Sequence, residues 1–236
     1  IPELEELHHT MFNAYMEKCV QISESVAMGV SIVDKDIPID EETLCETIRN
    51  DLAKAFAITQ TKSDCNSLLR DYIERSPKIC SRMVTNHKAM QYVIPLLNSI
   101  LVLCDMPSKP GSSKSSLLLN TINSAKHNIN LTLSYVYQEL GQYENSLHCI
   151  QNIETQSVTK SLTDMQQQAI TYNKFYTCCK SKNVVEARKA LSSGFDYKSN
   201  PYSVMLEMVL LFISISLESN YTDCNNIFKQ LCEQYP

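Results

Sequence analysis

Apolar residues recur every three or four positions along most of the chain, and this spacing predicts helices rather than strands. The first helix is expected to begin at Pro2 and to run to about Ser31, with glutamates in its first turn, where the helix dipole favours negative charge. Asp40 is a suitable N-cap for a second helix that ends at about Ile58. The chain therefore opens with long helices.

Two prolines interrupt the next apolar stretch. Ser63 or Asp64 is predicted to begin a third helix, and Ser76 with Pro77 to restart the chain, because proline cannot donate the helical hydrogen bond. Pro95 is expected to kink or break the helix that follows. A serine-rich linker is then predicted over residues 107–115, between two helices.

Three helix pairs are predicted in the second half of the chain. They cover residues 116–140 with 143–155, 164–180 with 184–192, and 201–217 with 221–234. Gly141 is expected to end the first helix. Equivalent positions recur at Tyr143, Val184 and Tyr221, which are 41 and then 37 residues apart. Similarity at a period of about 20–50 residues is typical of solenoid repeats.

The segment INLTLSYVYQELGQYENSLHCIQNI, residues 129–153, resembles a tetratricopeptide (TPR) repeat. Leu133, Ser134 and Tyr137 stand at the packing positions of that repeat's first helix, and Ser146 and Ile150 at those of its second. The last unit matches at Tyr221, Cys224 and Phe228, and the middle unit at Ala187 and Leu191. The chain departs from the family in lacking its tryptophan and in having a longer period. The resemblance covers about residues 128–236. The repeats of this region are similar to the divergent repeats of large eukaryotic scaffold proteins.

The resemblance implies an all-α fold, in which antiparallel helical hairpins stack as a TPR-like right-handed superhelix after long N-terminal helices. The expected domains are an N-terminal helical region (1–106), a linker (107–115) and a TPR-like region (116–236). A non-repetitive helical bundle is the alternative fold. The expected function is that of a non-catalytic protein–protein interaction scaffold or adaptor subunit of a larger eukaryotic complex.

The resemblance also implies a partner-binding groove on one face of the first helix of each pair. Carried over by position, its residues are Asn128, Tyr135, Gln138, Tyr172, Tyr176, Lys180, Val209 and Ile213. Their amides, hydroxyls and aromatic rings suit a peptide segment or helical subunit of another protein. Two alternatives remain open: an RNA-binding repeat, which uses the lysines around the tyrosines of the middle unit, and a regulatory helical subunit of an enzyme complex.

Composition narrows the partner class. The formal net charge of −5 provides no general attraction to nucleic acid or to an anionic membrane surface. The most apolar run, residues 204–217, is shorter than the about 20 residues of a membrane span. The ten cysteines include no C-x-x-C pair, which predicts buried, reduced thiols and a cytoplasmic or nuclear location.

Candidate chemistry is sparse. A phosphate-binding loop that contains Lys114 would need glycine at positions 108 and 113. Both positions are serine, so the motif is absent. Adjacent histidines, as at residues 8 and 9, point about 100° apart on a helix and cannot share a metal. Of two adjacent cysteines, Cys178 is expected to pack inside and Cys179 to be partly exposed. We expect no catalytic residue, metal, cofactor or small-molecule substrate.

Overall fold

The computed structural model describes residues 2–30, 33–34, 37–60, 66–105, 116–157 and 164–192. Within these ranges the chain is all-helical, apart from two strands of two residues each. The elements are α1 (Pro2–Ala27), β1 (Val33–Asp34), β2 (Ile37–Pro38), α2 (Glu41–Thr59), α3 (Asn66–Arg82), a 3-10 turn (Met83–Thr85), α4 (Met90–Asp105), α5 (Ser116–Glu139), α6 (Tyr143–Ser157), α7 (Asp164–Lys180) and α8 (Val184–Ser192). The strands pair antiparallel, with Val33 opposite Pro38.

The chain divides into two compact units, Ile1–Val136 and Tyr137–Pro236, here called unit 1 and unit 2. The boundary between them falls inside α5, near its C-terminal end. The serine-rich linker predicted at residues 107–115 lies outside the described residues. The three-part domain division expected from the sequence therefore stays a prediction.

In unit 1, α1 and α2 pack against each other in opposite directions. Lys18 Nζ lies 2.7 Å from Asp51 Oδ2, whereas the next residue of α1, Cys19, contacts the carbonyl of Ile48, one turn earlier in α2. Because one position rises while the other falls, the two helices are antiparallel. The Asp40 carboxylate begins α2 as expected, since its Oδ1 accepts the Thr43 N–H at 2.7 Å.

The third helix runs parallel to the first. Arg75 Nη2 lies 2.6 Å from Glu17 Oε1, and Arg82 Nη1 lies 3.1 Å from Glu24 Oε1. Both partners advance by seven residues, so α1, α2 and α3 follow an up-down-up order, and α4 packs on α2 and α3. The core of this unit is built from buried aliphatic, aromatic and thiol side chains, among them Phe12, Met16, Cys19, Ile48, Ile73, Ile79, Cys80, Met83, Leu97 and Ile100.

The predicted break at Ser76 and Pro77 is wrong, and α4 likewise continues through Pro95. An internal proline costs a helix about 3 kcal/mol. The residues around Pro77 compensate, because Ile73 and Ile79 are buried and each buried aliphatic side chain contributes about 1.5–3 kcal/mol. Tertiary packing thus keeps α3 continuous.

The first helix ends at Ala27, before the expected Ser31. Gly29 has a φ of +64°, and its N–H donates to the Val26 carbonyl at 3.1 Å while the Val30 N–H donates to the Ser25 carbonyl at 2.9 Å. This pair of bonds is the Schellman arrangement, which satisfies the last free carbonyls of a helix. Glycine at this position was the overlooked stop signal.

The same arrangement occurs twice in unit 2, at positions 41 residues apart. Gly141, with a φ of +71°, follows α5, and the Gln142 N–H donates to the Tyr137 carbonyl at 2.7 Å. Lys182, with a φ of +60°, follows α7, and the Asn183 N–H donates to the Cys178 carbonyl at 2.8 Å. The spacing of the two turns equals that between Tyr143 and Val184 in the sequence. The third predicted pair, residues 201–234, lies outside the described residues.

Candidate interaction surface

The seventh helix packs against α6 and α8 within unit 2. Ile170, Phe175 and Cys178 form its buried side. Ser146 Oγ of α6 lies 3.2 Å from Thr177 Oγ1 of α7. The other side of α7 is partly open to solvent, and three of the residues expected to bind a partner lie there.

Tyr172, Tyr176 and Lys180 follow one another at intervals of four residues and so share one face of α7. The two tyrosine rings stack, with centroids 6.2 Å apart and an interplanar angle of 27°. Lys180 Nζ lies 5.3 Å from the centroid of the Tyr176 ring, within the range of a cation–π interaction. We call these three residues the tyrosine–lysine row. The three side chains therefore contact one another in sequence along this face.

Two lysines near the tyrosine–lysine row have carboxylate partners, one between helices and one within a helix. Lys174 Nζ lies 2.8 Å from Glu154 Oε1, which ties α7 to α6. Lys189 Nζ lies 3.7 Å from Glu186 Oε1 within α8. Lys174 is thus paired at a partly buried position, whereas Lys189, 74% exposed, stays largely open to solvent.

Gln138 does not line an exposed groove. Its side chain is 7% exposed, and its Nε2 donates to Thr177 Oγ1 at 2.5 Å and to the Asn173 carbonyl at 3.1 Å. Thr177 also donates to the Asn173 carbonyl at 2.7 Å and contacts Ser146. Gln138 thus acts as a buried brace between the end of α5 and α7.

The four remaining expected residues lie either in unit 1 or outside the described part of the chain. Asn128 and Tyr135 lie on α5 in unit 1, both exposed, and Tyr135 is 42% exposed. Val209 and Ile213 lie outside the described residues. Of the six expected residues that the structure describes, Tyr172, Tyr176 and Lys180 contact one another.

The expectation that Cys179 is partly exposed is wrong, because its side chain is only 1% exposed. Burial raises the pKa of Cys179 to about 12 and that of Cys178 to about 11. A thiol that stays protonated is a poor nucleophile and a poor metal ligand. Among the residues that the structure describes, no group of three His, Cys, Asp or Glu side chains is arranged to hold a metal ion.

A cleft in unit 1 was not anticipated from the sequence. It has a volume of about 660 Å³ and lies between α3 and α5; we call it the α3–α5 cleft. Its α3 wall includes Ile73, Glu74, Pro77 and Lys78, and its α5 wall includes Asn120, Ser124, Asn128 and Thr132. The α5 residues are spaced by four, so the sequence contains a row of polar side chains on one helix face. Apolar periodicity alone does not reveal this row.

Across the described ranges, the helices are too short or too polar to cross a membrane. Comparison of the chain with protein-family models, with curated proteins and with solved structures finds no match. The functional interpretation therefore rests on the residues and geometry of this chain.

Proposed function

We propose that this protein is a non-catalytic protein–protein interaction scaffold with TPR-like hairpins, and that a partner protein contacts the tyrosine–lysine row of α7. The carrying observation is the row itself: two stacked tyrosines and a lysine held against one of them on a partly open helix face. Tyrosine offers a large contact area together with a hydroxyl, and few rotatable bonds are lost when it binds.

The arrangement of unit 2 supports the TPR-like part of the proposal. The α6 and α7 helices are antiparallel, since Glu154 pairs with Lys174 and the earlier Ser146 meets the later Thr177. The turns at Gly141 and Lys182 repeat the same hydrogen bonds. Repeated hairpins of this kind present successive helix faces along one surface.

RNA is the second candidate, because stacked aromatic rings with an adjacent cation also bind single-stranded bases. The ion pair of Lys174 with Glu154 weakens this candidate, since a basic track needs cations that are available to phosphates. The formal charge of −5 points the same way. The test below separates the two.

The test places a photo-crosslinking phenylalanine analogue at Tyr176 and identifies what it captures in eukaryotic cell extract. A captured protein is then purified, and its affinity is measured for the unchanged chain and for Tyr172→Ala/Tyr176→Ala. Loss of these rings is expected to weaken binding at least about tenfold, as for central aromatic residues of interfaces. Lys180→Gln should give a smaller loss.

The matched control is Tyr92→Ala, which removes a partly exposed tyrosine of α4 in unit 1. It should leave the affinity unchanged, and circular dichroism should show all variants folded. If the double variant binds its partner as well as the unchanged chain does, the proposal fails. If the crosslinked species is RNA and its affinity falls steeply with salt, the RNA candidate replaces it.

A further inference from the structure

The α3–α5 cleft has two unlike walls. The α3 wall is apolar in its depth, where Ile73 and Pro77 are buried. Because Pro77 has no N–H, the carbonyl of Ile73 lacks the donor that an ordinary helix residue would supply. Glu74 and Lys78, the two charged residues of the lining, have opposite charges and lie one turn apart on the exposed edge of the same wall. Glu74 Oε1 also lies 3.7 Å from Arg70 Nε and accepts a hydrogen bond from Thr121 of α5 at 3.4 Å. The cleft therefore favours an uncharged occupant with apolar groups and hydrogen-bonding groups.

The α5 wall carries a row of small polar side chains, Asn120, Ser124, Asn128 and Thr132, which we call the polar row. Residues four apart on a helix are about 6 Å apart along its axis. An extended peptide repeats every two residues, which is about 6.6–6.8 Å. The polar row thus nearly matches the step at which an extended chain presents its backbone groups to one side.

The chemistry of the row fits the same occupant. The carboxamide of Asn128 can donate one hydrogen bond and accept another, which matches the N–H and C=O of a single peptide residue. The Ser124 hydroxyl can do either. The Thr132 hydroxyl already donates to the Asn128 carbonyl at 2.9 Å and keeps its acceptor capacity. A helix would not use these groups, because its backbone is already internally bonded.

We propose that the α3–α5 cleft binds an extended peptide segment of a partner protein, with Ser124, Asn128 and Thr132 of the polar row hydrogen-bonding its backbone at every second residue. The intervening side chains lie over Ile73, Pro77 and Ala125. This site belongs to unit 1 and does not depend on the tyrosine–lysine row of unit 2.

The first test selects binders from a phage-displayed library of random 12-residue peptides on the full chain. Selected peptides are synthesised, and their affinity is measured by fluorescence polarisation. Ser124→Leu/Asn128→Leu, which changes two exposed positions and keeps good helix formers, should weaken binding about tenfold or more. Asn98→Leu, at an exposed position of α4 outside the cleft, is the matched control and should bind as before.

The second test uses the register argument. Single N-methyl groups placed along a selected peptide should abolish binding at alternate positions and leave it nearly unchanged at the positions between them. Tyr172→Ala/Tyr176→Ala should not alter peptide affinity, which separates this site from the surface on α7. The proposal is overturned if no peptide is enriched, if the leucine variants bind equally well, or if N-methylation shows no alternation.

Discussion

The two units bury polar side chains in different ways. In unit 1 a buried carboxylate, Asp51, lies 2.7 Å from Lys18 Nζ and 3.1 Å from Lys54 Nζ, and both lysines are more than half exposed. In unit 2 the buried polar groups of Gln138 and Thr177 are neutral. A charged cluster responds to acid and to salt, whereas a neutral one does not. The two units should therefore differ in how conditions change their stability.

Replacing the carboxylate should give the largest effect. Asp51→Ala removes the hydrogen bond from Lys54 and the ion pair with Lys18, and it should lower the free energy of unfolding of unit 1 by about 2 kcal/mol. The loss stays moderate because the exposed lysines can be hydrated. Hydrogen exchange of α1 and α2, followed by mass spectrometry, measures it. Glu46→Ala, which breaks the exposed pair with Arg49 on the same helix, is the control and should change little.

The lowered pKa of Asp51 predicts how the stability of unit 1 changes with pH. Burial alone would raise its pKa, but hydrogen bonds and charges from Lys18 and Lys54 outweigh burial and lower it. Its contribution is therefore complete above about pH 4, the range of an unperturbed Asp, and is lost as pH falls through the lower folded-state pKa. Asp51→Asn should flatten this part of the pH profile. An unchanged acid profile would contradict this account.

The neutral cluster of unit 2 should give the next effect. Thr177→Val keeps the side-chain shape but removes the hydroxyl that joins Gln138, Ser146 and the Asn173 carbonyl. We expect a loss of about 1–2 kcal/mol, independent of pH between 4 and 8, because partly unsatisfied groups remain buried. Exchange rates in α6 and α7 report it. Thr155→Val, at an exposed position of α6, should leave those rates unchanged.

Substitutions in the two turns of unit 2 should change stability through backbone conformation, without affecting a buried polar group. Gly141→Ala should destabilise by about 1 kcal/mol because of its positive φ alone, since an added Cβ meets nothing within 4 Å. Lys182→Gly should stabilise by up to about 1 kcal/mol, because glycine adopts this conformation readily. Thermal unfolding measures both. Shifts of the same sign would show that the turns are not equivalent.

The smallest effect is expected for His127 in unit 1, which is 8% exposed. Burial lowers the pKa of its imidazole, so the unfolded chain binds a proton more readily than the folded one. Stability should therefore decline as pH falls below about 6.5, the unperturbed value, toward the lower folded-state pKa. His127→Leu should remove this decline. Chemical denaturation at a series of pH values tests it, and a decline that persists in the variant contradicts it.

Local signals in the sequence predicted much of the helical order. Asp40 as an N-cap, Gly141 as a stop and the bounds of α7 and α8 agree with the structure. The errors came where packing outweighs local preference. The helix continues through Pro77 because neighbouring residues are buried against other helices. The local preference of proline does not include this packing.

The candidate surface was only partly accessible to sequence reasoning. Positional transfer from the TPR resemblance placed Tyr172, Tyr176 and Lys180 on one helix face, and the structure has them in contact along α7. The same positional transfer misplaced Gln138, because which side of α5 is buried depends on the helix packed against it. The cleft beside Asn128 depends on α3, some 50 residues earlier in the chain, and no local pattern joins the two walls.

The buried thiols of both units can report how often the structure around them opens. Seven cysteines of the described chain are buried: Cys19, Cys45, Cys80 and Cys104 in unit 1, and Cys149, Cys178 and Cys179 in unit 2. A thiol shielded from solvent is alkylated only when the structure around it opens, so its labelling rate reports that opening. Because both units contain buried cysteines, one alkylation experiment can report the opening of each unit separately.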